Sequence, residues 1–349
     1  MTYDAFLLVS FGGPERSEDV LPFLENVLRG KNVPRERMLL VAEHYHHFGG
    51  KSPINDQNRT LIAALKTEFA SHGVQLPIYW GNRNWHPMLA DTMRQMKADG
   101  VKRALAFATS AYSSYSSCRQ YRENIAAAQA AAGEGAPVVD KLRVFHNHPL
   151  FVEANIEQVR AALNRIPAER RSSARIAYTA HSIPLSMADS CNYERQLREV
   201  GTLVSSALGR AADPLVFQSR SGPASQPWLE PDILDHLKTI HADGATDVVI
   251  APIGFVSDHM EVLYDLDTQA ANLCKELGLN LQRAATAGTH PKFVQMVREL
   301  VAERMGESSE RRAMGIFPAN PDFCLADCCP APMRPTASPD RMVAASGTR

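Results

Sequence analysis

Two residues of this 349-residue chain combine metal- or proton-handling side chains with positions at the ends of strand-like runs. His181 closes the run Ala174-Arg-Ile-Ala-Tyr-Thr-Ala-His181 and precedes Ser-Ile-Pro184. Glu261 follows Val248-Val-Ile-Ala-Pro-Ile-Gly-Phe255, within Asp258-His259-Met260-Glu261. In an open α/β sheet the carboxyl ends of parallel strands border the ligand crevice. A neutral imidazole and a carboxylate placed there can ligate a divalent cation or take protons from a bound molecule. The plainer alternative for His181 is a packed, hydrogen-bonded histidine.

Asp258, Glu261 and Asp265 are spaced i, i+3 and i+7, which predicts one acidic face if the segment is helical. Val262, Leu266, Ala270 and Leu273 form the neighbouring apolar stripe. Three carboxylates on one face repel, and a cation would relieve the cost. For Asp258 the competing role is stabilisation of the first helical turn. In His44-Tyr-His-His47 only His44 and His47 share a face of a predicted surface helix, so the cluster is a weak metal candidate. Ala108 to Tyr121 carries five serines, one threonine and three tyrosines after a strand. Hydroxyls can bind carboxylates or phosphates and rings can stack on a flat ligand, against a solvated serine loop as the alternative. Arg29, Tyr45 and Ser52, around Phe48-Gly-Gly-Lys-Ser-Pro53, could complete an anion-binding wall. Glycine-rich dinucleotide and phosphate-loop fingerprints are absent from the sequence.

These candidates need a scaffold of strands whose ends line a cleft. Ala5–Ser10, Leu76–Trp80, Arg103–Ala108 and Asp247–Ala251 are continuous apolar runs alternating with helical patterns, as in a parallel sheet covered on both faces. Helices are predicted over 34–48, 86–100, 151–166 and 291–305. The second half echoes the first. Phe6-Leu-Leu-Val-Ser-Phe-Gly-Gly-Pro14 matches Ile176-Ala-Tyr-Thr-Ala-His-Ser-Ile-Pro184. Ile78–Arg83 matches Val216–Arg220, and Asp91–Gly100 matches Asp232–Gly244. Three matches in one order predict two similar α/β domains facing each other, with chance likeness of βα units as the competing reading. The domains are set at 1–150 and 151–310, followed by a cysteine-containing tail, 311–349, predicted disordered after Pro330.

A composition of 45% hydrophobic and 21% charged residues is ordinary for a globular protein, and a net charge of −1 argues against nucleic-acid binding. No apolar stretch is long enough to predict a transmembrane helix, and the first residues lack a signal-peptide pattern. A cytoplasmic protein is expected. Six cysteines in so long a chain do not read as a secreted disulfide framework, and Cys324, Cys328 and Cys329 crowd together as metal or iron–sulfur ligands would.

Taken together, Leu7–Pro14, Phe48–Ile54, Thr179–Pro184 and Pro252–Asp267 resemble the ferrochelatase family, in particular the actinobacterial type that acts on coproporphyrin III. The resemblance spans about residues 5–305. It implies a two-domain chelatase fold of Rossmann-like halves (class II), with Fe2+ inserted into a porphyrin held in the interdomain cleft. By resemblance His181 and Glu261 are the catalytic iron site, and Asp265 is an auxiliary metal residue one turn along an acidic ridge. Gln269 replaces the next acid of that ridge, so a second fully acidic metal site is not expected. Ser52 and Tyr121 match porphyrin-contacting positions, with Arg29 and Tyr45 in the same wall. Phe11 stands where some relatives carry a tyrosine able to ligate product iron. Some relatives bind a [2Fe–2S] cluster, for which Cys324, Cys328, Cys329 and the internal Cys118 are the candidates here, with Cys191 as the alternative internal ligand. Zinc or free thiols are the competing readings of the same cysteines.

The implied partners are a porphyrin and ferrous iron, without nucleic acid or stable membrane insertion. The chain is expected to act as a monomer, with transient contacts to neighbouring haem-pathway enzymes. The charged segment Phe23–Arg37 suits a polar cleft mouth and a tetracarboxylate better than the apolar lip of membrane-associated relatives. A ferrochelatase acting on protoporphyrin IX is the nearest alternative, and a porphyrin carrier on the same fold is the alternative of another class.

Overall fold

The chain folds, in a computed structural model describing residues 2–31, 33–222 and 225–331, around two four-stranded parallel sheets. The first contains β1 (Ala5–Ser10), β2 (Ile78–Asn82), β3 (Arg103–Ala108) and β4 (Val138–Lys141), in the order β2-β1-β3-β4. The second contains β5 (Arg175–His181), β6 (Leu215–Gln218), β7 (Asp247–Ala251) and β8 (Asn280–Arg283), in the order β6-β5-β7-β8. The two orders are equivalent, as the internal echo predicts. The correspondence reaches single bonds. Thr109 N donates to Val9 O across the first central pair and Gly254 N to Thr179 O across the second, each at 3.0 Å. In the echo Phe11 is therefore the counterpart of His181.

Every residue of β1 and β7 is buried, because helices cover both faces of each sheet. On the first half lie α1 (Val20–Leu28), α2 (Arg35–His47), α3 (Ile54–Ser71), α4 (Leu89–Ala98) and α5 (Gln120–Ala132). A second set follows: α6 (Pro149–Asn164), α7 (Leu185–Ala188), α8 (Tyr193–Ala207), α9 (Ile233–Ala242), α10 (Met260–Val262), α11 (Ala271–Leu277) and α12 (Pro291–Met305). The predicted last helix matches α12 residue for residue. The edge strands β4 and β8 were not expected; each has four residues and a half-polar sequence.

The halves share a core. Phe107 stacks on Phe145 at 5.1 Å between centroids and meets Phe293 of α12 edge-on at 6.0 Å. α12 also lies against α3, where Arg298 pairs with Glu68 at 2.7 Å. Tyr112, fully buried, donates from its hydroxyl to Ile253 O at 2.8 Å and so ties the loop after β3 to the loop after β7. No helix among the described residues is long and apolar enough to cross a membrane.

The tail runs back across both halves. Glu199 of α8 accepts backbone N–H bonds from Ile316 and Phe317, and Asn147 Nδ2 donates to Phe317 O at 2.8 Å. Arg143 binds Glu303 through two hydrogen bonds, at 2.8 and 3.0 Å, with both side chains buried. The segment predicted to be disordered, after Pro330, lies outside the described residues except for Ala331.

Candidate functional site

His181 is the last residue of β5, and Glu261 stands in the first turn after the loop that follows β7. Gly254 sets the distance between these elements. A Cβ there would come within 2.5 Å of the Ala180 Cβ, so only glycine lets the loop cross β5 this closely. The result places His181 Nε2 3.6 Å from Glu261 Oε2. The side chains keep 32% and 47% of their surface exposed, so a ligand can reach them.

The tautomer of His181 follows from its neighbour. Nδ1 lies against the Ser182 carbonyl oxygen, which can only accept, so Nδ1 carries a proton and Nε2 is the nitrogen turned toward Glu261. Tyr193 donates to the His181 carbonyl at 3.0 Å and braces the strand end. A first-row divalent ion with bonds of about 2.1 Å spans a nitrogen and an oxygen 3.6 Å apart at an open angle.

Asp265 lies within a π-helical stretch, Leu263–Ala270, that continues α10 into α11. Its carboxylate accepts from Ser219 Oγ and from Gln218 Nε2, both at the end of β6. Burial pushes its pKa up to about 6, with the Ser219 bond opposing and the nearby Glu261 charge adding to the rise. Ser219 reaches it from a left-handed backbone, φ +61°.

Asp258 does not join this face. The helix begins at Met260, and Asp258 instead pairs with Arg283 at 3.1 Å, an arginine that also binds Asp267 at 2.7 Å. Its backbone N–H donates to Gln57 of α3 at 2.8 Å, a link between the halves. The expected acidic triad is thus a pair, Glu261 and Asp265. The apolar stripe next to it is in place, with Val262, Leu266 and Ala270 fully buried.

The histidine cluster serves this helix rather than a metal. His44 stacks on Tyr264 at 3.6 Å and His47 meets the same ring edge-on, so α2 rests on the segment between Glu261 and Asp265. Tyr45 is buried beside Phe23, near enough to Glu261 that the carboxylate charge, after burial, raises its pKa. Its ring packs under α1 in the wall formed by the first half. Arg29 ends α1 and binds Asn26 Oδ1.

Ser52 is 2% exposed, and its N–H donates to Pro14 O at 2.9 Å. Tyr121 packs under the first sheet, its ring 4.5 Å from the Arg83 guanidinium. Two hydroxyls of the serine-rich loop are spent locally: Ser114 Oγ accepts from Ser117 N, and Ser117 Oγ donates to Tyr112 O at 2.9 Å. They shape the π-helical turn Tyr115–Arg119 ahead of α5, while Ser113 and Tyr112 bond across to Gln196 and Ile253. Arg83 was missed, although it stands one residue beyond β2, where the rule that singles out His181 would have found it.

The tail cysteines meet Cys118. Cys118 and Cys324 are hydrogen-bonded, which raises the first thiol's pKa and lowers the second's. Cys328 and Cys329 lie 3.6 Å apart at sulfur. A cavity of about 800 Å3 is lined by Cys191, Cys324, Cys328 and Cys329. Arg119 and Arg122 donate to the Cys328 and Cys324 carbonyls at 3.3 and 3.4 Å, holding the segment down. Soft thiols beside two guanidinium groups fit the donor chemistry of an iron–sulfur site. Among the described residues no three His, Cys, Asp or Glu side chains are already arranged to hold a metal ion.

Comparison with known proteins agrees with this architecture. A ferrochelatase family profile matches residues 3–305. The chain is 59% identical over 346 residues to a ferrochelatase of Rhodopirellula baltica, covering 99% of this chain and 98% of that protein. It is 52% identical over 351 residues to a coproporphyrin III ferrochelatase of Streptomyces coelicolor, covering 94% of each. Among solved structures, SirB from Bacillus subtilis with Fe3+ superposes with a TM-score of 0.54 over 88% of this chain and 98% of that one; at 13% identity the likeness is one of fold.

Proposed function

The chain belongs to the ferrochelatase family, and on that premise we propose that it inserts Fe2+ into coproporphyrin III to give Fe-coproporphyrin III. The observation that carries the reading is the His181–Glu261 pair, an imidazole nitrogen and a carboxylate oxygen facing each other at 3.6 Å with both side chains partly exposed.

The reaction removes two pyrrole protons and replaces them with one divalent ion. Fe2+ must shed water, and the ring must bend to expose its nitrogen lone pairs. Contacts to the remote propionates can supply that distortion. Glu261 and His181 Nε2 hold the iron on one face. The protons leave to the acidic ridge, where Asp265, with its pKa raised to about 6, is suited to exchange protons near neutrality, or to His181 Nε2 once the iron has passed to the ring. Ser52 and Tyr121 hold the porphyrin from the first half, with Arg29 at the end of α1. Phe11, the counterpart of His181 in the echo, offers no ligand from its side.

We also assign Cys118, Cys324, Cys328 and Cys329 as the residues that would hold a [2Fe–2S] cluster; when bound, it supplies a one-electron redox group. Cys191 on the same cavity is the alternative internal ligand.

Coproporphyrin III as substrate is supported by the charged segment around α1 and by the Streptomyces relative's named substrate. Steady-state iron insertion with coproporphyrin III and protoporphyrin IX side by side tests it. A higher kcat/KM for coproporphyrin III is expected, and a clear preference for protoporphyrin IX would overturn the assignment.

A further inference from the structure

We propose that Arg83 binds a carboxylate of the porphyrin substrate, a specificity contact made from the first half of the molecule. The inference rests on the porphyrin-metallating reading above.

Arg83 follows β2 directly, and its backbone N–H donates to Ser10 O at 2.9 Å, fixing it beside the end of β1. Its guanidinium lies 4.5 Å from the Tyr121 ring centre and 5.6 Å from that of Phe11. Two aromatic rings therefore flank the cation and hold it in place. Its hydrogen bonds go to neutral acceptors: Nε to Asn124 Oδ1 at 2.6 Å, and Nη1 to Ser116 O at 3.4 Å. Among the described residues no carboxylate pairs with it, and Nη2 makes no hydrogen bond.

Most arginines held this firmly in the molecule have an acid partner, as Arg143 has Glu303 and Arg283 has Asp258. Arg83 is half-buried, preorganised and uncompensated, a state that costs solvation energy unless a ligand supplies the charge. Lys31 carries a second positive charge close enough to feel that of Arg83, although burial is the larger influence on it. Lys31 also feels the Glu261 carboxylate, so the two cations approach the His181–Glu261 pair from the first half. A planar guanidinium with an open Nη2 edge is a matched receptor for a carboxylate, and the proposed substrate carries four.

The role is separable from a structural one. The test compares wild type, Arg83→Met and Arg83→Lys for binding of coproporphyrin III and of its tetramethyl ester, read by porphyrin fluorescence, together with KM and kcat for iron insertion. Methionine keeps much of the apolar stem, and thermal melts check the fold. Loss of one charge-assisted contact should raise Kd and KM for coproporphyrin III by roughly tenfold in Arg83→Met. Arg83→Lys should recover part of the loss, and the ester should be weakened much less. Equal weakening of acid and ester would show that Arg83 only braces the wall, and unchanged acid binding would remove it from recognition; either result overturns the proposal. If wild type itself metallates protoporphyrin IX in preference, the substrate assignment fails instead. The same comparison with that porphyrin and its dimethyl ester then decides the role of Arg83.

Discussion

His181 Nε2 and Glu261 Oε2 face each other across 3.6 Å, while His181 Nδ1 donates to the Ser182 carbonyl and fixes the orientation of the ring. An imidazole nitrogen and a carboxylate oxygen held this close can share one divalent cation.

Replacing His181 with alanine is expected to lower iron insertion by at least about a hundredfold while coproporphyrin III still binds. Glu261→Gln should behave alike, because the amide keeps the shape and loses the charge. Stopped-flow metallation beside fluorescence binding checks both, and near-normal turnover in either variant would sink the assignment.

Asp265 predicts a pH dependence. Its carboxyl is raised to about 6, so it is neutral below that pH and ionised above. If it receives protons during metallation, kcat should climb as pH rises through about 6, and Asp265→Asn should flatten that limb. Stability runs the other way. The folded state binds this proton more tightly than the unfolded chain, so the contribution is full below pH 4 and is lost as pH rises through 6. Asp265→Asn should therefore be more stable than wild type at pH 7.5, by up to about 3 kcal/mol. That gain should vanish near pH 4, as thermal melts at the two pH values would show.

Gly254→Ala places a methyl group 2.5 Å from the Ala180 Cβ, between two backbone segments that cannot swing aside. A loss of about 1–3 kcal/mol in stability is expected. Because the same contact spaces His181 from Glu261, kcat for metallation should fall further than porphyrin affinity. A variant that melts and turns over like wild type would show that the loop has slack.

Protein purified without oxygen is expected to be coloured and to contain iron and acid-labile sulfide, both lost in Cys324→Ser and Cys118→Ser. Colourless, iron-free wild type from aerobic and anaerobic preparations alike would refute the cluster. If Cys191→Ser bleaches the protein and Cys118→Ser does not, the internal ligand is Cys191.

Much of this molecule is readable from local pattern. Continuous apolar runs marked β1, β3 and β7 residue for residue, because burial on both faces leaves no room for polar alternation. The internal echo foresaw the matched strand orders and set Phe11 against His181. What pattern could not show was long-range partnership. Asp258 has helix-like spacing to Glu261, yet Arg283, from the edge strand β8, takes it away. The serine-rich loop spends two of its hydroxyls on its own turn, since serines prefer nearby backbone groups when a turn offers them. Arg83 escaped notice because an unpaired charge is invisible until its surroundings are known. β4 and β8 are too short and too polar to stand out.

The tail also sets a timetable for synthesis. Glu199 and Asn147 can capture Ile316 and Phe317 only after both sheets have left the ribosome. Cys118 emerges about two hundred residues ahead of Cys324, its hydrogen-bonding partner. At roughly 5–20 residues per second the early thiol waits some 10–40 s for the late one. During that interval it has no hydrogen-bonding partner from the tail. The arrival of the last segment thus does double service, closing the two halves together and giving a partner to a residue made long before.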